Sequence, residues 1–153
     1  MKKILIQTLI ISLFFISFNA TAEIKHIKDG NVDAKVKLVV FESLTCSHCG
    51  DFHRDIYPKL KTDFIDKNLI SIEYRNFPLD IAAFNAAKIA HCRNDGKSEI
   101  LHHLYNNQSS WVRGSTIEDL NKNLKRVVQE SGFKLDFDNC IANSKICLLY
   151  TSD

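Results

Sequence analysis

Charge of one sign is what this chain conspicuously lacks. Lys and Arg number 20 against 18 Asp and Glu, and setting aside Lys2 and Lys3 at the start leaves 18 of each. No basic face rich in arginine and aromatics stands out, so nucleic acid is not an expected partner. The cluster Lys59-Leu60-Lys61 reads as the solvated side of a helix. A second pair of closely spaced cysteines is also missing, as is a paired-histidine motif. Cys46, Cys49 and His53 could therefore begin a zinc or copper site, but nothing completes four ligands. Covalent haem attachment would need histidine directly after the second cysteine, where Gly50 stands instead. No metal and no cofactor are expected. Repeats, low-complexity tracts and linkers are absent too, and the roughly 130 residues beyond position 22 suit one domain.

The uncharged, largely apolar stretch from Ile4 to Phe18 is short of the roughly 20 residues a membrane-spanning helix needs. Preceded by Lys2-Lys3 and followed by Asn19-Ala20-Thr21-Ala22, it reads as a secretory signal over residues 1–22, cut after Ala22. An uncleaved anchor is the alternative. Export places the chain in an oxidising space where disulfides persist.

Against that background stands Cys46-Ser47-His48-Cys49. Two cysteines three apart fall on one side of a helix, close enough to interconvert between dithiol and disulfide. Lys37-Leu38-Val39-Val40-Phe41 before them is of strand length and reads as a buried strand. After them Cys49, Phe52, Ile56, Leu60 and Phe64 keep helical spacing. Cys46 is thus expected at the first turn of a helix, where free backbone N–H groups and the helix dipole favour a thiolate.

Residues 23–34 look irregular or like a short strand, with Asp29-Gly30-Asn31 as a turn. A strand over Val36–Phe41, a helix from about Cys46 to Asp66 kinked at Pro58, and a strand over Leu69–Phe77 form a βαβ unit, expected to be parallel and right-handed. Its active residues fall at the carboxyl end of the first strand. Beyond Pro78 the pattern turns helical: alanine-rich Ile81–His91, then Lys97–Asn107, then a helix opened by a capping box at Ser115-Thr116-Ile117-Glu118 and ended by Gly132. The second half reads as a helical layer on a small sheet.

With these pieces placed, residues 29–144 resemble the DsbA-like family of periplasmic thiol–disulfide oxidoreductases. The resemblance rests on Ser43-Leu44-Thr45-Cys46-Ser47-His48-Cys49, on Phe52-His53 and Tyr57-Pro58, and on Arg75-Asn76-Phe77-Pro78-Leu79-Asp80. Ala87, Cys92, Leu104-Tyr105, Gln108 and Trp111 fit as well. It implies an α/β thioredoxin-like fold with an inserted helical domain: a βαβ part over 23–80 and a helical insertion over 81–146. Two positions depart from the family. The acid that relatives often carry just before the aromatic leading into the motif is Val40 here, with Glu42 displaced. The family also continues with a cis-proline loop, two strands and a final helix, whereas the only prolines are Pro58 and Pro78. The last residues, Cys147-Leu148-Leu149-Tyr150-Thr151-Ser152-Asp153, look like a reading frame of a sequencing adapter, so residues 147–153 are expected to be read-through and the last strands and helix to be missing. The underlying codons test this.

The resemblance implies disulfide formation in unfolded exported proteins, with a DsbB-like, quinone-linked membrane oxidase as the partner that reoxidises the pair. Cys46 is the exposed, reactive sulfur and Cys49 the shielded, resolving one, with His48 lending electrostatic support from within the loop. Cys92 and Cys140 remain once Cys147 is set aside. They are expected to form a structural disulfide, as in some relatives, the alternative being two buried thiols. A monomer is expected. His53 reads as a packing or surface residue, His91, His102 and His103 as lying on helix surfaces or edges, and Trp111 as core or interdomain packing. A disulfide isomerase or reductase is the rival within redox chemistry, although isomerases usually dimerise through an added N-terminal domain for which residues 23–35 are too short. A metal-binding module is the rival outside it, and an inactive fragment is the third possibility.

Overall fold

The computed structural model describes residues 24–143. The expected signal segment and the expected read-through lie outside the described residues. Three strands form one sheet: β1 (Ile27–Asp29), β2 (Val36–Glu42) and β3 (Ile70–Asn76), with β3 in the middle. β1 runs antiparallel to β3 and β2 runs parallel to it, with Val36 opposite Ile70 and Glu42 opposite Asn76. The β-branched and aromatic side chains of β3 explain its central place, since Ile70, Ile72 and Tyr74 are all buried.

β2 departs from expectation. It is an edge strand, not a buried one, and Val36, Leu38, Val39 and Phe41 are exposed. No described strand pairs with its outer edge. Val40 is half-buried against the core, and Glu42 at the strand's end is fully buried.

One helical run over 47–65 connects β2 to β3. It is built of α1 (Ser47–Asp51), a π-helical turn over Phe52–Ile56, α2 (Tyr57–Leu60) and a second π-turn over Lys61–Ile65. Pro58 has no N–H to offer the preceding turn. The strain expected as a kink appears as a change of hydrogen-bond step, with the Tyr57 N–H reaching back to the Phe52 carbonyl. Each wide turn rotates the helix and moves its buried face. Phe52 and Leu60 are only half-buried and Ile56 and Phe64 are exposed, while His53 and Ile65 face inward.

The rest is helical: α3 (Ile81–Ala90), α4 (Glu99–Asn106), α5 (Gln108–Trp111), α6 (Ile117–Glu130) and α7 (Phe137–Ala142). Asp80 caps α3, accepting from the Ala83 N–H at 2.7 Å. Thr116, not Ser115, caps α6 by accepting from Asp119 N, so the cap sits one residue later than the sequence pattern suggested. The small alanines of α3 let it pack closely against α4, α6 and α7. Sheet and helices share one continuous core running from Ile27 and Ile72 through Leu101, Leu104 and Trp111 to Val128. A disulfide joins Cys92, just past α3, to Cys140 in α7.

Candidate active site

β2 delivers the chain into the core at Glu42, Ser43 and Leu44, and the cysteine pair follows where the strand gives way to helix. Cys46 is the N-cap of α1, with extended backbone (φ −73°, ψ 120°) and its N–H bonded to the Ser43 carbonyl. Its sulfur therefore meets the unpaired N–H groups of the first turn. Both cysteines are free thiols and half-buried.

The two sulfurs are chemically unlike. A hydrogen bond from the Cys49 thiol, joined by the backbone N–H groups of Cys49 and His48, holds the Cys46 thiol below its ordinary value, against burial and the Asp51 charge. Burial pushes Cys49 up to about 11, and the neighbouring Cys46 and Glu42 push the same way. His48 acts on Cys46 through its backbone; its imidazole is 95% exposed, with Nδ1 3.7 Å from Asp51.

The helical layer holds this loop in place. Gln108, at the start of α5, donates from Nε2 to the carbonyls of Leu44 (2.9 Å) and Cys46 (2.8 Å). The approach requires glycine at position 50, where a Cβ would stand 2.5 Å from the Gln108 amide oxygen. Thr45 donates to Asp80 at 2.7 Å, joining the loop to the cap of α3.

Beneath the pair lies a set of polar groups that sequence reading passed over. Glu42 is 3% exposed, and burial raises its carboxyl to about 8. The acid displaced from the family position is therefore inside: the inward turn at the end of β2 buries Glu42. Its Oε2 lies 2.8 Å from His53 Nε2. His53 is buried as well, and burial, then the His102 charge, lowers it to about 3. His53 Nδ1 is 2.8 Å from His102 Nδ1, and His102 Nε2 is 2.8 Å from Asp29 Oδ2. Burial would raise Asp29, but hydrogen bonds from His102 and Ser98 win and bring it down to about 2. His53 stacks on Tyr105 and His102 on Tyr57, fixing both rings. Neither ring nitrogen of His53 is left for a metal shared with the cysteines. His91 is buried too, 2.6 Å from Asn76, contrary to the surface expectation. The signal for these histidines was faint: Glu42, His53, His102 and Asp29 come from four separate elements.

A thioredoxin family model matches residues 22–150. The chain is 31% identical over 120 residues to a provisionally named protein-disulfide oxidoreductase of Rickettsia bellii, an alignment covering 76% of this chain and 45% of that protein. It thus spans about half the length of the curated relatives it matches. The crystal structure of alpha-DsbA1 from Wolbachia pipientis superposes with a TM-score of 0.70 at 32% identity, over 79% of this chain and 61% of that one. A protein-disulfide isomerase from Novosphingobium aromaticivorans shares the fold, at a TM-score of 0.66 and 22% identity over 79% of this chain and 73% of that one.

Proposed function

The chain belongs to the thioredoxin family, and on that premise we propose that it is a DsbA-like thiol–disulfide oxidoreductase working through Cys46 and Cys49. The observation that carries this reading is the inequality of the two thiols at one helix start: Cys46 lowered, Cys49 raised to about 11.

In the direction we propose, the pair begins as a disulfide. A substrate thiolate attacks the Cys46 sulfur, a mixed disulfide forms, and Cys49 leaves as a thiolate that must take up a proton. A second substrate thiolate then attacks the substrate's own sulfur and displaces Cys46. Two electrons pass from substrate to enzyme, and the substrate leaves with a new disulfide. Cys46 is the better leaving group because its anion is the stabilised one. Glu42 gives Cys49 its proton and takes it back on reoxidation. Its Oε1 is buried without a hydrogen-bond partner among the described residues, the condition of a carboxyl oxygen free for transfer.

The substrates on this reading are unfolded exported proteins in the periplasm, and a quinone-linked membrane oxidase of the DsbB type restores the disulfide. Residues 1–22 would direct the export, and fractionation of cells expressing the chain tests it. For the chemistry, the oxidised full chain is mixed with a reduced two-cysteine peptide. The reading expects a peptide 2 Da lighter, and no such product with Cys46→Ser. Reshuffling of a scrambled substrate without net oxidation would favour an isomerase instead.

A further inference from the structure

A cleft of about 740 Å³ opens between residues 53–62 of the helical run and α4, and neither cysteine borders it. Asp29, His53, Tyr57, Ser98 and His102 do, with Arg54, Lys61 and Glu99 around them. It meets the buried carboxylate of the active site through two imidazole rings in series. We propose that His53, His102 and Asp29 form a proton relay connecting Glu42, and through it the Cys49 thiol, with solvent in this cleft. The relay rests on the thiol-exchange reading above and adds to it a route by which the proton travels.

The geometry orders the protons. Asp29 already accepts from the hydroxyls of Tyr74 (3.0 Å) and Ser98 and is an anion, so His102 Nε2 is the donor facing it. With His102 neutral in the resting relay, its Nδ1 is a lone pair and His53 Nδ1, 2.8 Å away, carries the hydrogen. His53 Nε2 is in turn a lone pair, so Glu42 Oε2 is protonated and donates to it at 2.8 Å. Each assignment follows from the one before, and every bond points from Glu42 toward Asp29. The upward displacement of Glu42 and the downward displacement of His53 agree with a neutral acid beside a neutral ring.

On reoxidation the Cys49 proton passes to Glu42 Oε1 as the Oε2 proton moves to His53 Nε2. The His53 Nδ1 proton moves to His102 Nδ1. Cys49 is now a thiolate, Glu42 and His53 are again neutral, and His102 is an imidazolium beside Asp29. The cleft water takes the proton from there. When substrate reduces the pair, the same steps run inward, protonate the leaving Cys49 and reset the chain. The other titratable groups facing this path are Tyr57, Tyr74 and Tyr105, with Arg54, Lys61 and Glu99 at the cleft. None of them interrupts the four-residue sequence.

The test loads Cys46 of the full chain with 5-thio-2-nitrobenzoate and follows release of the coloured thiol as Cys49 resolves the mixed disulfide. His102→Ala is expected to slow release about 10-fold at pH 7, a modest share of what general acid–base groups contribute. Imidazole added to the buffer is expected to restore the rate, with the Cys46 thiolate absorbance unchanged. Release at the wild-type rate, or slow release indifferent to imidazole, would overturn the relay while leaving thiol exchange intact. No release from the wild-type chain would instead overturn the exchange reading and the relay with it. Should His102→Ala fail to fold, ¹⁵N spectra of the wild-type protein at pH 6 decide. In the reduced protein, hydrogen on His53 Nδ1 and His102 Nε2 supports the relay, and hydrogen on His53 Nε2 breaks it.

Discussion

Cys46 and Cys49 share a residue type and a turn of helix, and their different acidities come from what each sulfur touches. Cys46 stands at the cap, where donors converge on it; Cys49 stands one turn deeper, near a carboxyl group and away from water. Because the Cys49 thiol is the foremost donor to Cys46, Cys49→Ala is expected to move the Cys46 titration upward, read as thiolate absorbance near 240 nm. Asp51→Asn is expected to move it downward, since that charge opposes the anion. A Cys46 titration indifferent to both changes would show that some other group sets it. His48→Ala retains the backbone N–H and is expected to shift the titration less than Cys49→Ala does.

Between elements, the loop before α1 depends on a side chain 62 residues away. Losing Gln108 strands the Leu44 carbonyl and leaves the Cys46 carbonyl with the Gly50 N–H, so Gln108→Ala is expected to cost about 2 kcal/mol in denaturant unfolding. Gly50→Ala should cost a similar amount by displacing the same amide, and the double variant should cost little more than either alone. Full additivity would separate the two positions. That coupling shows where sequence reading reached and where it stopped. The strands around Leu38 and Ile72, the helix opening at Cys46 and the alanine-rich packing of α3 were legible, because each is written in local periodicity. The exposure of β2 was not, since an apolar run does not say which strands flank it. The buried face of 47–65 was misjudged because two π-turns shift it from the 3.6-residue pattern to His53 and Ile65. Glu42, His53, His102 and Asp29 are separated by up to 73 residues along the chain and meet only when the sheet and α4 pack together.

For the molecule as a whole, these buried groups tie stability to pH. A folded state that keeps a proton the unfolded chain has lost becomes less stable as pH rises. Glu42 does so between its ordinary value of 4.5 and about 8. His53 and His91, lowered to about 3 and about 4 from 6.5, act in the opposite sense and add stability as pH rises to 6.5. Up to 6.5 the histidines offset Glu42; above it, in the chain with the Cys46–Cys49 disulfide formed, which takes both thiols out of the titration, Glu42 acts alone. Stability is therefore expected to peak near pH 6.5 and to fall by about 2 kcal/mol by pH 8. Glu42→Gln should flatten that fall. Unchanged decline in the variant would place its origin elsewhere.

The claim beneath all of this is that one sulfur of the pair is held as the reactive anion and the other is not. Brief treatment of the reduced full chain with iodoacetamide at pH 6, followed by peptide mass analysis, addresses it most directly, because only a thiolate is alkylated efficiently. The structure predicts carboxamidomethylation of Cys46 at least ~10 times faster than of Cys49. Equal labelling, or preference for Cys49, would contradict it.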